Sequence, residues 1–185
     1  MTKINATRAK ILEAAAETAR TVGSSRLTID AVAKAAHVSK GGVLYHFPTK
    51  HALLAGLMDF AMMQLESRTQ QQERRLEGKY KRIRSFILAA QESTPENRTL
   101  PLSVLAAAGE DKVLLEPMRE YSKELWDCVE EESELGLMLL LAVEGLQFME
   151  LLDLVKLNPK RRRALFGKML AVAERSDGPE GTGND

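Results

Sequence analysis

Apolar residues return along this chain at intervals of three and four, and nowhere alternate cleanly enough to insist on a strand, so the pattern predicts helices throughout. Ile11, Leu12, Ala15, Ala19 and Val22 mark one face of a first helix between Ala6 and Val22, with Gly23 placed to end it. Thr28 then precedes Ile29, Val32, Ala33 and Ala36, as an N-cap precedes a helix of barely two turns. Ser39 repeats the arrangement before a third helix, Lys40 to Phe47, whose inward side chains would be Val43 and Phe47. Pro48 stops that helix, and Thr49 is placed to cap a long fourth one. Its apolar face would carry Leu53, Leu54, Leu57, Met58, Ala61, Met62 and Leu65.

Beyond Arg68 the polar run TQQQERR and Gly78 predict a boundary or a solvent-exposed helix end. Ile83, Phe86, Ile87 and Ala90 form the face of a further helix; STPENRT reads as a connector, and Pro101 opens a short apolar helix through Ala108. Pro117 is expected to begin a helix running to Glu132, and Ser133 to cap the next, Glu134 to Leu157. Asn158 and Pro159 supply a cap and a first-turn proline for a last helix ending near Glu174. The tail SDGPEGTGND has nothing to bury. The predicted fold is all-α, with about nine helices in two domains: 1–50, carrying a compact helical group, and 51–175, a helical body, followed by a disordered tail at 176–185.

Composition agrees with this and narrows the function. The 44% apolar content suffices for a substantial core, and the scarcity of aromatics at 5% alongside only six prolines favours helix. A single cysteine, Cys128, excludes an intrachain disulfide and a cysteine-rich zinc site, and is expected to be a small buried apolar residue in a reducing cytoplasm. The amino terminus lacks an apolar signal region, and the longest apolar run, Leu135 to Val143, is about half of what a membrane span needs, so no membrane role is expected. Net charge is zero, but unevenly spread: residues 1–50 hold eight Lys or Arg against three Asp or Glu, leaving +5, and the remaining eighteen against twenty-three leave −5. A basic end on an acidic body is a candidate for binding a polyanion.

The short helix at 40–47 sharpens that candidate. Its first turn holds Gly41 and Gly42, each costing about 1 kcal/mol against alanine in a helix. Only His37 and Val38 separate it from the preceding helix, the spacing of a helix-turn-helix, in which the second helix enters the DNA major groove. Residues at the entering tip gain from having no Cβ. Lys40 beside them can neutralise a phosphate or donate to a guanine, Ser39 can cap or contact DNA, and Tyr45 and His46 can donate to phosphate oxygens. The next helix opens Thr49-Lys50-His51, putting positive charge at the positive end of a helix dipole, a conflict that a bound phosphate would relieve. Arg26 and Thr28 offer a second phosphate position of the same kind.

Residues 7–58, and especially TIDAVAKAAHVSKGGVLYHFPTKHALL, resemble the DNA-binding domain of TetR-family transcriptional regulators. The resemblance implies a DNA-contacting set of Thr28, Ser39, Lys40, Gly41, Tyr45, His46 and Lys50, with Val43 and Phe47 holding the recognition helix down. It departs from the family in two places: His37 stands where such turns commonly have glycine, and Gly42 where relatives carry a side chain able to read sequence. With Gly42 mute, base readout is expected to lean on Lys40, Tyr45 and DNA shape.

Beyond the fourth helix the resemblance is one of layout, a helical ligand-binding and dimerisation body whose last two helices would pair with those of a second subunit. Apolar side chains cover more than one face between Leu135 and Leu157, which implies burial on two sides. Leu139, Leu146 and Met149, with Leu165, Met169 and Val172, are the candidates for a homodimer interface. Candidates for a small-molecule effector pocket are Met62, Phe86, Leu105, Trp126, Glu144 and Phe148, with Glu144 equally explained as part of a polar stripe with Gln147 and Glu150. The ten carboxylates between Glu110 and Glu134 read as a solvated face, and Arg161 to Arg163 as partners for acids of that kind. The function expected is a dimeric repressor that a small molecule releases from a palindromic double-stranded operator; control by a protein partner is the alternative. An enzyme has little support, because His37, His46 and His51 lack metal-ligand spacing and no phosphate loop or nucleophile with a base is recognisable, so neither metal nor cofactor is expected.

Overall fold

The computed structural model describes residues 3–22, 27–93 and 111–175, and all the regular structure among them is helical. The elements are α1 (Lys3–Val22), α2 (Ile29–Ala35), α3 (Lys40–His46), α4 (Lys50–Glu73), α5 (Lys81–Glu92), a 3-10 turn (Lys112–Leu115), α6 (Glu116–Glu132), α7 (Glu134–Leu151) and α8 (Pro159–Arg175). The all-α class is therefore as read. The expected helix from Pro101 to Ala108, the connector before it, the stop at Gly23 and the tail all lie outside the described residues. The chain divides into two compact units, one drawn from residues 1–65 and 96–122 and the other from 66–95 and 123–185.

In the first unit α1 packs on α2 and α2 on α3. The core joins Ile11, Leu12 and Ala15 of α1 to Leu27, to Val32 and Ala33 of α2, to Val43 and Phe47, and to Leu53, Leu57 and Met58 of α4. Each large apolar side chain buried here is worth about 1.5–3 kcal/mol, which is what holds two seven-residue helices too short to persist alone. Hydroxyl caps set where these helices start. Thr28 accepts from the Ala31 amide at 3.1 Å, Ser39 from Gly42 at 3.0 Å and Thr49 from Ala52 at 3.0 Å, each satisfying an amide the helix leaves without a partner.

The second unit packs α5 against α7 and α8, and α7 against α8. Ile83, Phe86, Ile87, Ala89 and Ala90 of α5 are buried together with Val143 of α7 and Phe166 of α8. Ser133 and Asn158 cap α7 and α8, accepting from Gly136 at 3.3 Å and Arg161 at 2.8 Å. Two arginines bind backbone carbonyls. Arg84 donates to Glu77 at 2.7 Å and Lys79 at 3.2 Å, fastening the polar segment ahead of α5. Arg162 donates to the carbonyls of Ala90, Gln91 and Ser93 at 2.9, 2.6 and 2.7 Å, so a guanidinium caps the carboxyl end of α5.

Three expectations are corrected, and a fourth is refined. Cys128 is exposed: the buried stripe of α6 is narrow, confined to Tyr121, Leu125 and Val129, and Cys128 falls just outside its edge. The polar run after Arg68 does hold the end of α4, at Glu73, although Thr69 and Gln72 within it are buried; Gln72 donates to Glu92 at 2.8 Å, so the amide is satisfied inside the unit. α7 stops at Leu151, six residues early: Asp153 takes φ 59, and the amides of Asp153 and Leu154 return to Glu150 and Met149 in a Schellman turn. Of the arginine triplet, Arg162 is buried against Glu150 at 2.9 Å, an acid of the polar stripe on α7 and not of the acidic stretch 110–134.

Candidate nucleic-acid interface

The turn between α2 and α3 is the part of the site that local chemistry explains most fully. His37 sits at φ 51, in the left-handed region, and its amide donates to Lys34 at 3.2 Å while Val38 donates to Ala33 at 3.0 Å. That pair of bonds is a Schellman motif with histidine in the place usually held by glycine, at a conformational cost of about 1–2 kcal/mol. The turn delivers Ser39 in extended conformation, ready to cap α3.

Burial then separates the two sides of α3. Val43 and Phe47 are buried, Gly42 and His46 half-buried, and Lys40, Gly41, Leu44 and Tyr45 exposed, with Tyr45 at 75% the most open large apolar side chain of the protein's described part. The two glycines prove unequal. A Cβ on Gly42 would meet Ser39 Oγ at 3.3 Å and Val38 Cβ at 3.8 Å, a tight fit that a shift of a few tenths of an ångström would relieve. Among the described residues a Cβ on Gly41 would meet nothing closer than Ser39 Oγ at 3.9 Å, so none of them excludes a side chain there. Ser39 accepts from Gly42 through an oxygen lone pair, which leaves the hydroxyl proton available to an acceptor outside.

Phe47 anchors this arrangement. Its amide donates to Val43 at 2.8 Å, the Arg8 guanidinium lies 5.3 Å from its ring centroid, and the ring rests on Gly56 of α4, where a Cβ would come within 2.6 Å of it. Glycine at position 56 is thus the socket into which the recognition helix is pinned.

Two acids enter the site that sequence reasoning did not single out. Lys40 Nζ lies 2.9 Å from Asp30 Oδ2 of α2, an exposed ion pair worth at most about 1 kcal/mol and easily exchanged. His51 Nε2, in the first turn of α4, lies 2.7 Å from Asp111 Oδ2, and Asp111 also accepts from the Val113 amide at 3.0 Å. The His51 hydrogen bond and then the Val113 amide hold the Asp111 carboxyl below the usual carboxylate range. Part of the negative charge that the start of α4 calls for is therefore internal. Asp30 was visible only as a first-turn acid, and Asp111 lies sixty residues from its partner, beyond the reach of local pattern.

Thr28, Ser39, Lys40, Gly41, Gly42, Tyr45, His46 and Lys50 all belong to the first unit, whereas Arg26 lies outside the described residues. Of the pocket candidates, Leu105 also lies outside them, Met62 is half-buried in the first unit, and the other four are scattered through the second. Phe86 is fully buried, Trp126 is exposed on α6, and Phe148 is exposed on α7. Glu144 keeps open surface, yet burial among its neighbours raises its carboxyl above the ordinary range; because water still reaches it, that is a direction and not a large free energy. A shallow crevice lined by Tyr80, Ile83, Leu135, Gly136, Leu139 and Ala173 includes none of the pocket candidates. Among the dimer candidates Leu139 is buried, Leu146, Leu165 and Met169 are half-buried, and Met149 and Val172 are exposed. Among the described residues no group of His, Cys, Asp and Glu is placed to hold a metal ion, and no helix is long and apolar enough to cross a membrane.

A capped two-helix turn presenting an open second helix, followed by a helical body, defines a helix-turn-helix regulator. Residues 11–57 match the bacterial regulatory proteins of the tetR family, and residues 80–174 match the tetracyclin repressor-like C-terminal domain. The chain belongs to the TetR family, whose members are transcriptional regulators, generally DNA-binding repressors without enzymatic activity. Its fold is similar to that of a TetR-family transcriptional regulator from Rhodococcus sp., at 18% identity and TM-score 0.71 over 94% of this chain and 100% of that one. It is also similar to the multidrug binding protein EbrR complexed with imidazole, at 18% identity and TM-score 0.64 over 88% and 93%. NalD, the secondary repressor of the MexAB-OprM multidrug efflux pump in Pseudomonas aeruginosa, is similar at 19% identity and TM-score 0.51 over 95% and 98%. No curated protein matches the sequence significantly.

Proposed function

We propose that the protein is a homodimeric, cytoplasmic repressor that grips a palindromic double-stranded operator with α3 and lets go when a small molecule binds the helical body. The observation that carries the reading is the open face of α3: Lys40, Gly41 and Tyr45 exposed together, with a glycine that no contact among the described residues requires. In this reading Lys40 and Tyr45 meet base edges or phosphates, Ser39, His46 and Lys50 meet phosphates, and Gly41 lets the backbone approach. Thr28 meets a further phosphate at the start of α2.

The dimer reading draws on the outer face of α7. Met138, Leu141, Phe148 and Met149 are exposed at spacings of three, seven and one, a stripe along one side, and it includes Gly145, whose added Cβ would meet nothing within 4 Å. A continuous exposed apolar stripe marks an interaction surface. With Leu165, Met169 and Val172 of α8 it would bury against its own copy and hold two recognition helices about 34 Å apart, the spacing of successive major grooves. Ligand control is supported by the relatives, one of them named as multidrug-binding and another as the repressor of an efflux pump. Phe86, Trp126 and Glu144, all of the second unit, are the proposed effector contacts, and a division of labour near residue 50 the proposed domain boundary.

Selection of duplex fragments by the purified protein, followed by a screen for small molecules that release them, tests the whole reading. A symmetric site and a releasing compound are expected. Leu141→Lys should sediment as a monomer and lose the site; a variant that stays dimeric would remove α7 from the interface.

A further inference from the structure

We propose that Leu44 is a sequence-reading residue of α3, recognising a thymine by contact with its C5-methyl group; this rests on the DNA-binding reading above. Leu44 is 37% exposed, on a helix whose inward positions, Val43 and Phe47, are already filled. It shares the outward face with Lys40, Gly41 and Tyr45, and of these four it alone carries neither a polar atom nor an open backbone.

Gly41 lies one turn before it, and helical side chains lean towards the amino terminus, so Leu44 projects over the turn from which Gly41 has removed the Cβ. The glycine thereby clears the approach to the leucine as well as to the backbone. Lys40, four residues before Leu44, has its exposed ion pair with Asp30 at 2.9 Å on the side of α2.

The major groove offers donors and acceptors at every base pair and one apolar feature, the thymine methyl. A leucine pressed on N7, O6 or N4 groups strips them of water and returns no hydrogen bond, so it rejects other bases as well as favouring thymine. Losing one buried methyl contact weakens binding about fourfold per half-site, or about fifteenfold when both half-sites lose it.

The test uses the full-length protein and the duplex it selects, with each thymine replaced in turn by deoxyuridine, which removes only the methyl. One thymine per half-site should show the fourfold loss. Leu44→Ala should bind thymine and uracil there equally, and Leu44→Met, still apolar, should keep the discrimination. If uracil is tolerated everywhere by the parent protein, or if Leu44→Ala still discriminates, Leu44 does not read the methyl while DNA binding itself stands. If no duplex is bound in dilute salt, the DNA-binding reading fails and takes this inference with it.

Discussion

Replacing Gly56 with alanine asks whether the recognition helix is positioned by the seat of Phe47 on α4. The added Cβ would lie 2.6 Å from Phe47 Cε1, with Arg8 Nη2 and Leu12 Cδ2 each 3.4 Å away. Carbon atoms at optimal contact stand about 3.5–4.0 Å apart, so the ring must retreat by about 1 Å. Phe47 is buried and rigid, and retreat is opposed by the core around it. Overpacking of this kind costs about 1–3 kcal/mol, against which alanine returns about 1 kcal/mol of helix propensity, leaving a net loss of about 0–2 kcal/mol. The effect on DNA should be larger than the effect on folding. Phe47 closes α3 through its 2.8 Å bond to Val43, so its displacement carries the helix with it, and a hydrogen bond stretched by 1 Å is no longer one. One lost base contact per half-site predicts a fall in operator affinity of about tenfold or more. Chemical denaturation and fluorescence anisotropy on the same preparation measure the two quantities. A variant about 1 kcal/mol more stable than the parent, binding with unchanged affinity, would refute the socket, because that is how alanine behaves at a helical glycine with open space around it.

Three further outcomes follow from the same geometry. Asp30→Asn frees Lys40 and removes an anion from the DNA-facing side, so binding to random duplexes should tighten and its logarithmic salt dependence steepen by about one; an unchanged slope means Lys40 meets no phosphate. Arg162→Ala leaves Glu150 buried without its cation and strips the cap from α5, so denaturation should report a loss of about 3–5 kcal/mol, part of it recovered in the double variant with Glu150→Gln. Glu144 has a raised carboxyl pKa, so it contributes stability below its ordinary value of 4.5 that is lost as pH rises through the raised one. Glu144→Gln should accordingly be the more stable protein at neutral pH and lose that advantage below pH 4.5; equal pH profiles would show that its neighbours do not desolvate it.

Two helix ends show how far local sequence can be read. α2 and α7 both close in Schellman turns without glycine, at His37 and Asp153. The first is legible because Ser39 immediately restarts a helix. The second is hidden, since Leu152, Leu154, Val155 and Leu157 prolong the apolar pattern past the true end at Leu151. Likewise a lone cysteine is read as buried from its chemistry, but only the rotation of α6, set by Tyr121, Leu125 and Val129, decides that Cys128 faces water.

The starts of α2, α3, α4, α7 and α8, the all-helical class and the exposed basic tip were all determined by the sequence alone, because capping and helical periodicity act within a few residues. Tertiary structure decided which partners the charges take: Lys40 with Asp30, His51 with Asp111, Arg162 with Glu150 and the end of α5. It also decided that Gly56 must be small beneath Phe47 while Gly41 stands open. Those pairings depend on groups ten to seventy-two residues apart being brought within about 3 Å, a distance that packing of the core sets and no local pattern encodes.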